Sequence, residues 1–266
     1  MRPSSSGSAE ISLPDSHPDL LKNPEATMTL STRKIRYAHQ GATLEGYFAC
    51  PKEAKGSLPS ILIAPAWAGC NQQAMERADI LAKLGYAAFA IDLYGEGRVG
   101  QSREECNQLM SEVAKDRGHL LERLLCALDT LKVQPEVDAD RVAALGYCFG
   151  GLCVLDLARG GASLRGVISL HGIFSAPEGT PKPAIQAKIL VLHGFEDPMA
   201  TPEQGIALGQ ELTQRDADWQ IHFYGATLHA FTNPEANDKA FGTIYNPLTD
   251  ERSWRLAQDF LSEVLK

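Results

Sequence analysis

Short apolar runs recur along this chain, separated by stretches with helical character, and that recurrence restricts the fold more than any other feature. "SILIAPA" (60–66), "YAAFAIDLY" (86–94), "RVAALGYC" (141–148), "LRGVISLHG" (164–172), "KILVLHG" (188–194) and "WQIHFYG" (219–225) are rich in aliphatic residues. A strand with one wet face alternates polar and apolar residues, whereas a strand covered on both faces is apolar throughout. Helical stretches are expected at about 71–84, 103–132, 150–158, 202–215 and 251–265. Strand then helix, repeated, is the rhythm of an α/β protein with a mostly parallel sheet flanked by helices on both faces. Ahead of it, "TRKIRYAHQGATLEGYFACP" (32–51) holds two alternating runs around Gly41, the pattern of an antiparallel hairpin at a sheet edge. That brings the sheet to about eight strands. With 266 residues, 44% of them hydrophobic, one large core is within reach, and residues 31–266 are expected to form a single domain. Residues 1–30 are rich in Ser and Pro, lack either hydrophobic period and read as a flexible tail.

Charge narrows the partners. The net charge is -8 and there is no Lys/Arg cluster, which argues against nucleic acid and against an anionic membrane. No apolar run approaches the roughly 18 residues of a membrane span, and nothing hydrophobic follows Arg2 to act as a secretory signal. The expectation is a soluble cytoplasmic protein, monomeric or homodimeric, with a small-molecule substrate. Six cysteines (Cys50, Cys70, Cys106, Cys126, Cys148 and Cys153) are scattered without metal-ligand spacing, so they are read as thiols, with no metal and no cofactor.

One of them stands apart. "GYCFGG" (146–151) sets Cys148 between Gly146 and Gly150 where a strand gives way to a helix, the G-x-S-x-G nucleophile elbow with sulfur in place of oxygen. A sharp elbow strains the nucleophile's backbone and leaves no room for side chains two residues away. The following helix points its N-terminus at the thiol, which favours the anion. Such an elbow needs an acid and then a histidine, in that chain order, after late strands. Asp197 follows "KILVLHGFE" and His229 follows the last strand in "YGATLHAF". Glu196 adjoins Asp197 and is the alternative acid, though the Asp-Pro turn favours Asp197. His171 and His193 each end an apolar strand before glycine, as rings that support loop backbone do, and His222 lies inside a strand.

With "GYCFGG", "HGFEDP", "LHAF" and "LAKLGYAAFAIDLYGEG", the chain from about Thr32 onward resembles the dienelactone hydrolase family of α/β-hydrolases, which use a Cys-Asp-His triad. The resemblance implies the α/β-hydrolase fold and the roles of nucleophile for Cys148, general base and then acid for His229, and orienting group for Asp197. It also implies oxyanion donors at the backbone N–H groups of Phe149 and Trp67.

Two positions depart from the family pattern. Where relatives acting on the namesake substrate carry a glutamate beside the resting cysteine, this chain has Ala66, and where they carry an arginine for the substrate carboxylate it has Asn233. Arg103 loosely matches a second substrate arginine. The implied activity is therefore cysteine-dependent hydrolysis of neutral or lipophilic esters and lactones through an acyl thioester, with Trp67, Tyr94, Arg103, Tyr147 and Phe231 as substrate-binding residues. Other activated esters, including phosphoesters, suit the same chemistry, and a non-enzymatic relative that binds a small molecule is the alternative from another class.

Overall fold

The computed structural model describes residues 28–177 and 184–266. Residues 1–27 of the expected tail lie outside them; residues 28–30 are described, and Leu30 opens the first strand. β1 (Leu30–His39) and β2 (Ala42–Pro51) form the expected hairpin, turning through Gln40 and Gly41, both with positive φ, as a tight two-residue turn between twisted strands requires. β1 is an edge strand, and its outward Lys34 and Arg36 are both held by Glu45, at 2.7 and 2.8 Å. Charges of this kind keep an edge from pairing with another chain.

Beyond the hairpin come β3 (Leu58–Ala64), α1 (Gln72–Lys83), β4 (Ala87–Ala90), α2 (Arg103–Ala114), α3 (Arg117–Lys132), β5 (Val137–Tyr147) and α4 (Phe149–Arg159). The chain continues through β6 (Gly166–Leu170), β7 (Lys188–Gly194), α5 (Pro202–Gln214), β8 (Trp219–Tyr224), the short β9 (Asn237–Asp238) and β10 (Thr243–Ile244), and α6 (Pro247–Val264). The main sheet has eight strands in the order β1-β2-β4-β3-β5-β6-β7-β8, parallel from β4 to β8. Helices α1 and α6 pack on one face around Ala78, Leu81, Phe260 and Leu261, and α2 to α5 contribute to the core on the other. This is the α/β-hydrolase architecture.

Three elements differ from expectation. The stretch 103–132 is two helices, because the Asp116 side chain accepts the His119 N–H at 2.9 Å and caps a new helix instead of continuing the old one. The run 86–94 leaves the sheet after Ala90. There the buried Asp92 carboxylate gathers the N–H groups of Glu45, Tyr94, Gly95 and Gly97, which turns the chain away. Helix α6 starts at Pro247 rather than near 251, since Asn246 caps it and a proline is well placed in a first turn. Among the described residues no helix is long and apolar enough to cross a membrane.

Candidate active site

The turn from β5 into α4 places Cys148 at φ 53, ψ -115, a left-handed conformation that costs a non-glycine residue about 1–3 kcal/mol. The surroundings leave it no alternative. A Cβ on Gly146 would lie 2.0 Å from the Gly150 carbonyl oxygen, and one on Gly150 would lie 2.0 Å from that of Ala64. Both obstacles are backbone. Gly150→Ala is therefore expected to cost about 3 kcal/mol, read as a lower urea midpoint, because α4 is buried along its length and cannot retreat. An unchanged midpoint would show that the elbow can give.

Two more loops converge on the sulfur. Asp197 follows β7 and is buried; its Oδ1 accepts the Met199 N–H at 2.8 Å and its Oδ2 accepts His229 Nδ1–H at 2.7 Å. His229, past β8, is pinned through its backbone to the β9–β10 hairpin, donating from N to the Gly242 carbonyl at 3.0 Å and accepting from Ile244 N at 3.2 Å. Its Nε2 is buried with no conventional hydrogen bond to a described residue. Burial alone would lower the His229 pKa, but the adjacent Cys148 sulfur and the hydrogen-bonded Asp197 carboxylate outweigh it and push it up to about 10.

The other histidines take supporting places. His193 Nε2 donates to the Ala200 carbonyl at 2.7 Å and stands 3.5 Å from Asp197 Oδ2, and burial lowers its pKa and favours the neutral ring. His171 Nε2 bonds the Thr232 hydroxyl at 2.8 Å, and its ring meets that of His229 edge-on at 5.1 Å. Glu196 is exposed and takes no part.

A cavity of about 580 Å³ opens over the carboxyl ends of the strands, and Cys148, His171 and His229 line it. Trp67, Met110, Ile173, Met199 and Phe241 form an apolar wall, while Arg77, Tyr147 and Asp250 face it from the α1 and α6 side. Ala66 and Asn233 also line it, and Asn233 Oδ1 accepts from Gln73 at 2.6 Å. The N–H groups of Phe149 and Trp67 donate to no acceptor among the described residues.

Three expected substrate contacts are corrected. Tyr94 is buried beneath the wall, with its hydroxyl donating to the Trp67 carbonyl at 2.6 Å. Phe231 is fully buried against His171 and Tyr224. Arg103 is tied to Asp238 at 2.7 Å and lies 4.1 Å over the Phe241 ring, on the outside of the wall. Tyr147 and Trp67 do line the cavity. Sequence reasoning missed Phe241, which reaches Trp67 in a stack at 5.9 Å, and Arg77. The two-residue strands that carry Phe241 in are too short to leave a periodic signal.

The chain is similar in sequence and fold to known proteins. A lactonase of Bradyrhizobium, named "Probable 2-oxo-3-(5-oxofuran-2-ylidene)propanoate lactonase", is 26% identical over 239 residues, 86% of this chain and 93% of its own. A solved structure named m3DLH is 39% identical with a TM-score of 0.83, covering 89% of this chain and 99% of that one. A dienelactone hydrolase-like promiscuous phosphotriesterase from metagenomic libraries is 34% identical, with the same TM-score and coverage. The sequence profile of the dienelactone hydrolase family matches residues 44–265, a span that takes in the cysteine elbow, the Asp197 loop and the His229 loop. A chain matched over that span, folded this way around these loops, is a hydrolase that belongs to the dienelactone hydrolase family.

Proposed function

We propose that this protein hydrolyses carboxylic esters and lactones with Cys148 as nucleophile, His229 as proton carrier and Asp197 as its orienting group. The observation that supports this most is the meeting of a strained cysteine at a helix N-terminus with a histidine whose far nitrogen is locked to a buried carboxylate. Cys148 sulfur attacks the carbonyl carbon, and the oxyanion is received by the N–H groups of Phe149 and Trp67. The C–O bond to the leaving group breaks as His229 Nε2–H protonates it, leaving an acyl thioester. Water, deprotonated by the now neutral His229, then releases the acid and restores the thiolate–imidazolium pair.

Substrate preference follows from what surrounds the sulfur. Trp67, Met110, Ile173 and Phe241 offer an apolar face, and residues 66 and 233 carry no charge, so the portion of the substrate packed there is lipophilic and uncharged. A dienelactone, with its carboxylate close to the reacting carbonyl, is the poorer substrate. Activated phosphotriesters are a second class, favoured by the 34% identical phosphotriesterase relative.

The test is rapid mixing with p-nitrophenyl butyrate followed by intact mass and peptide mapping. One butyryl group on the Cys148 peptide, formed at the rate of the nitrophenolate burst, is the expected result. Neither turnover nor adduct with this ester, dihydrocoumarin or an aryl dialkyl phosphate would overturn the proposal and leave a binding role.

A further inference from the structure

The cavity holds a cation that the chemistry at Cys148 does not use. Arg77, on α1, lines the wall opposite Trp67 and Met110. Its guanidinium carbon lies 4.8 Å from the Trp254 ring centroid and 5.4 Å from that of Tyr147. Both rings lie within cation–π reach of the group and offer it no hydrogen-bond acceptor. No hydrogen bond or ion pair joins the Arg77 side chain to any described residue, although almost every other arginine side chain around the fold has one. Asp250 lines the same wall outside ion-pair distance; burial raises its carboxyl pKa while the more distant charge of Arg77 lowers it, and the Tyr245 hydroxyl donates to it at 3.3 Å. The Tyr147 hydroxyl beside it is buried and has no partner. Glu76 and Glu235 are also near, yet both are exposed at the rim, where solvent screens them, and glutamine amides occupy them at 3.0 and 3.3 Å.

A half-buried guanidinium presents up to five donors in a planar fork, which matches the two oxygens of a carboxylate. We infer that Arg77 anchors a carboxylate on the part of the substrate that extends toward α1 and α6, away from the apolar wall. The inference rests on the proposed hydrolase reading and deepens it. The preferred substrate becomes amphiphilic, with a lipophilic portion against Trp67 and Met110 and an acid group at the opposite end.

Two matched pairs test this: 4-butyryloxybenzoate against its methyl ester, with the acid on the leaving group, and phenyl hydrogen adipate against phenyl methyl adipate, with the acid on the acyl group. The wild type is expected to favour the carboxylate member of one pair. Arg77→Gln should lower that carboxylate-to-ester ratio of kcat/KM about 30-fold, with KM carrying the change, and Arg77→Lys should fall between. Calorimetric binding of 4-butyramidobenzoate and 4-butyramidobenzamide, and of adipate and adipamide, to the wild type and both variants reads the same anchor without turnover, because none of the four carries an ester. It therefore separates failure of this inference from failure of the hydrolase reading. Thermal unfolding of each variant reports its folding. No carboxylate preference in either pair, or a ratio and a binding difference that Arg77→Gln leaves alone, would overturn the assignment.

Discussion

Cys148→Ala is expected to lower kcat/KM for p-nitrophenyl butyrate by about 10⁴-fold and to remove the acyl adduct. The size follows from what remains. Without sulfur no covalent intermediate forms, so water must attack the bound ester directly, helped only by the oxyanion donors and by binding, which alone give modest catalysis over water. Cys148→Ser is expected to remain well below the wild type as well. A hydroxyl is not ionised by the partners that serve a thiol, and the shorter C–O bond draws the nucleophile back from His229. Both variants should unfold near the wild type, because Cys148 is at the cavity surface and either side chain fits the elbow. An alanine variant that keeps a tenth of the activity would place the nucleophile elsewhere.

The parts legible in the sequence are those that one segment dictates. β7 begins and ends where "KILVLHG" does, since both faces of a central strand are covered and the apolar run has no reason to end early. The elbow was legible because glycine, cysteine and glycine answer a steric demand within five residues, and Cβ distances of 2.0 Å at Gly146 and Gly150 express that demand. What escaped depends on distant partners. Asp92 ends β4 by collecting an N–H from Glu45, 47 residues earlier in the chain, as well as from its own turn. Phe231, two residues past His229, reads in sequence as pocket lining, but it turns inward beneath His171. Arg77 is indistinguishable in sequence from a solvated residue on an amphipathic helix. Only the packing of α1 beside Tyr147 and beside Trp254 of α6 turns it into the cavity.

The second large effect is expected at His229, where the direction of the pH dependence is fixed by which form its neighbours favour. The imidazolium is held between Cys148 and Asp197, with its pKa at about 10, so it is present through neutral pH and lost as pH rises through about 10. Alkylation of wild-type Cys148 by iodoacetamide should accordingly be nearly independent of pH across the neutral range. His229→Asn removes the cation, and the rate should then be slow at pH 6 and climb as for an unassisted thiol, with a midpoint of about 8.5. Turnover of p-nitrophenyl butyrate should fall about 10³-fold, because deacylation loses its base even where the thiol can be ionised by raising the pH. Alkyl esters should suffer more than aryl esters, since an alkoxide needs the His229 proton to depart and a nitrophenolate does not. In the wild type the same distinction appears as alkyl-ester acylation declining above pH of about 10 while aryl-ester acylation persists. Asp197→Asn removes one of the two anions that hold the proton, so the alkyl-ester decline should move to lower pH. An amide in place of the Asp197 carboxylate would also disturb the Nδ1–H contact now seen at 2.7 Å, lowering turnover by about 10²–10⁴-fold. Superimposable alkylation profiles for the wild type and His229→Asn would mean that His229 does not stabilise the thiolate, and its role would reduce to carrying the proton.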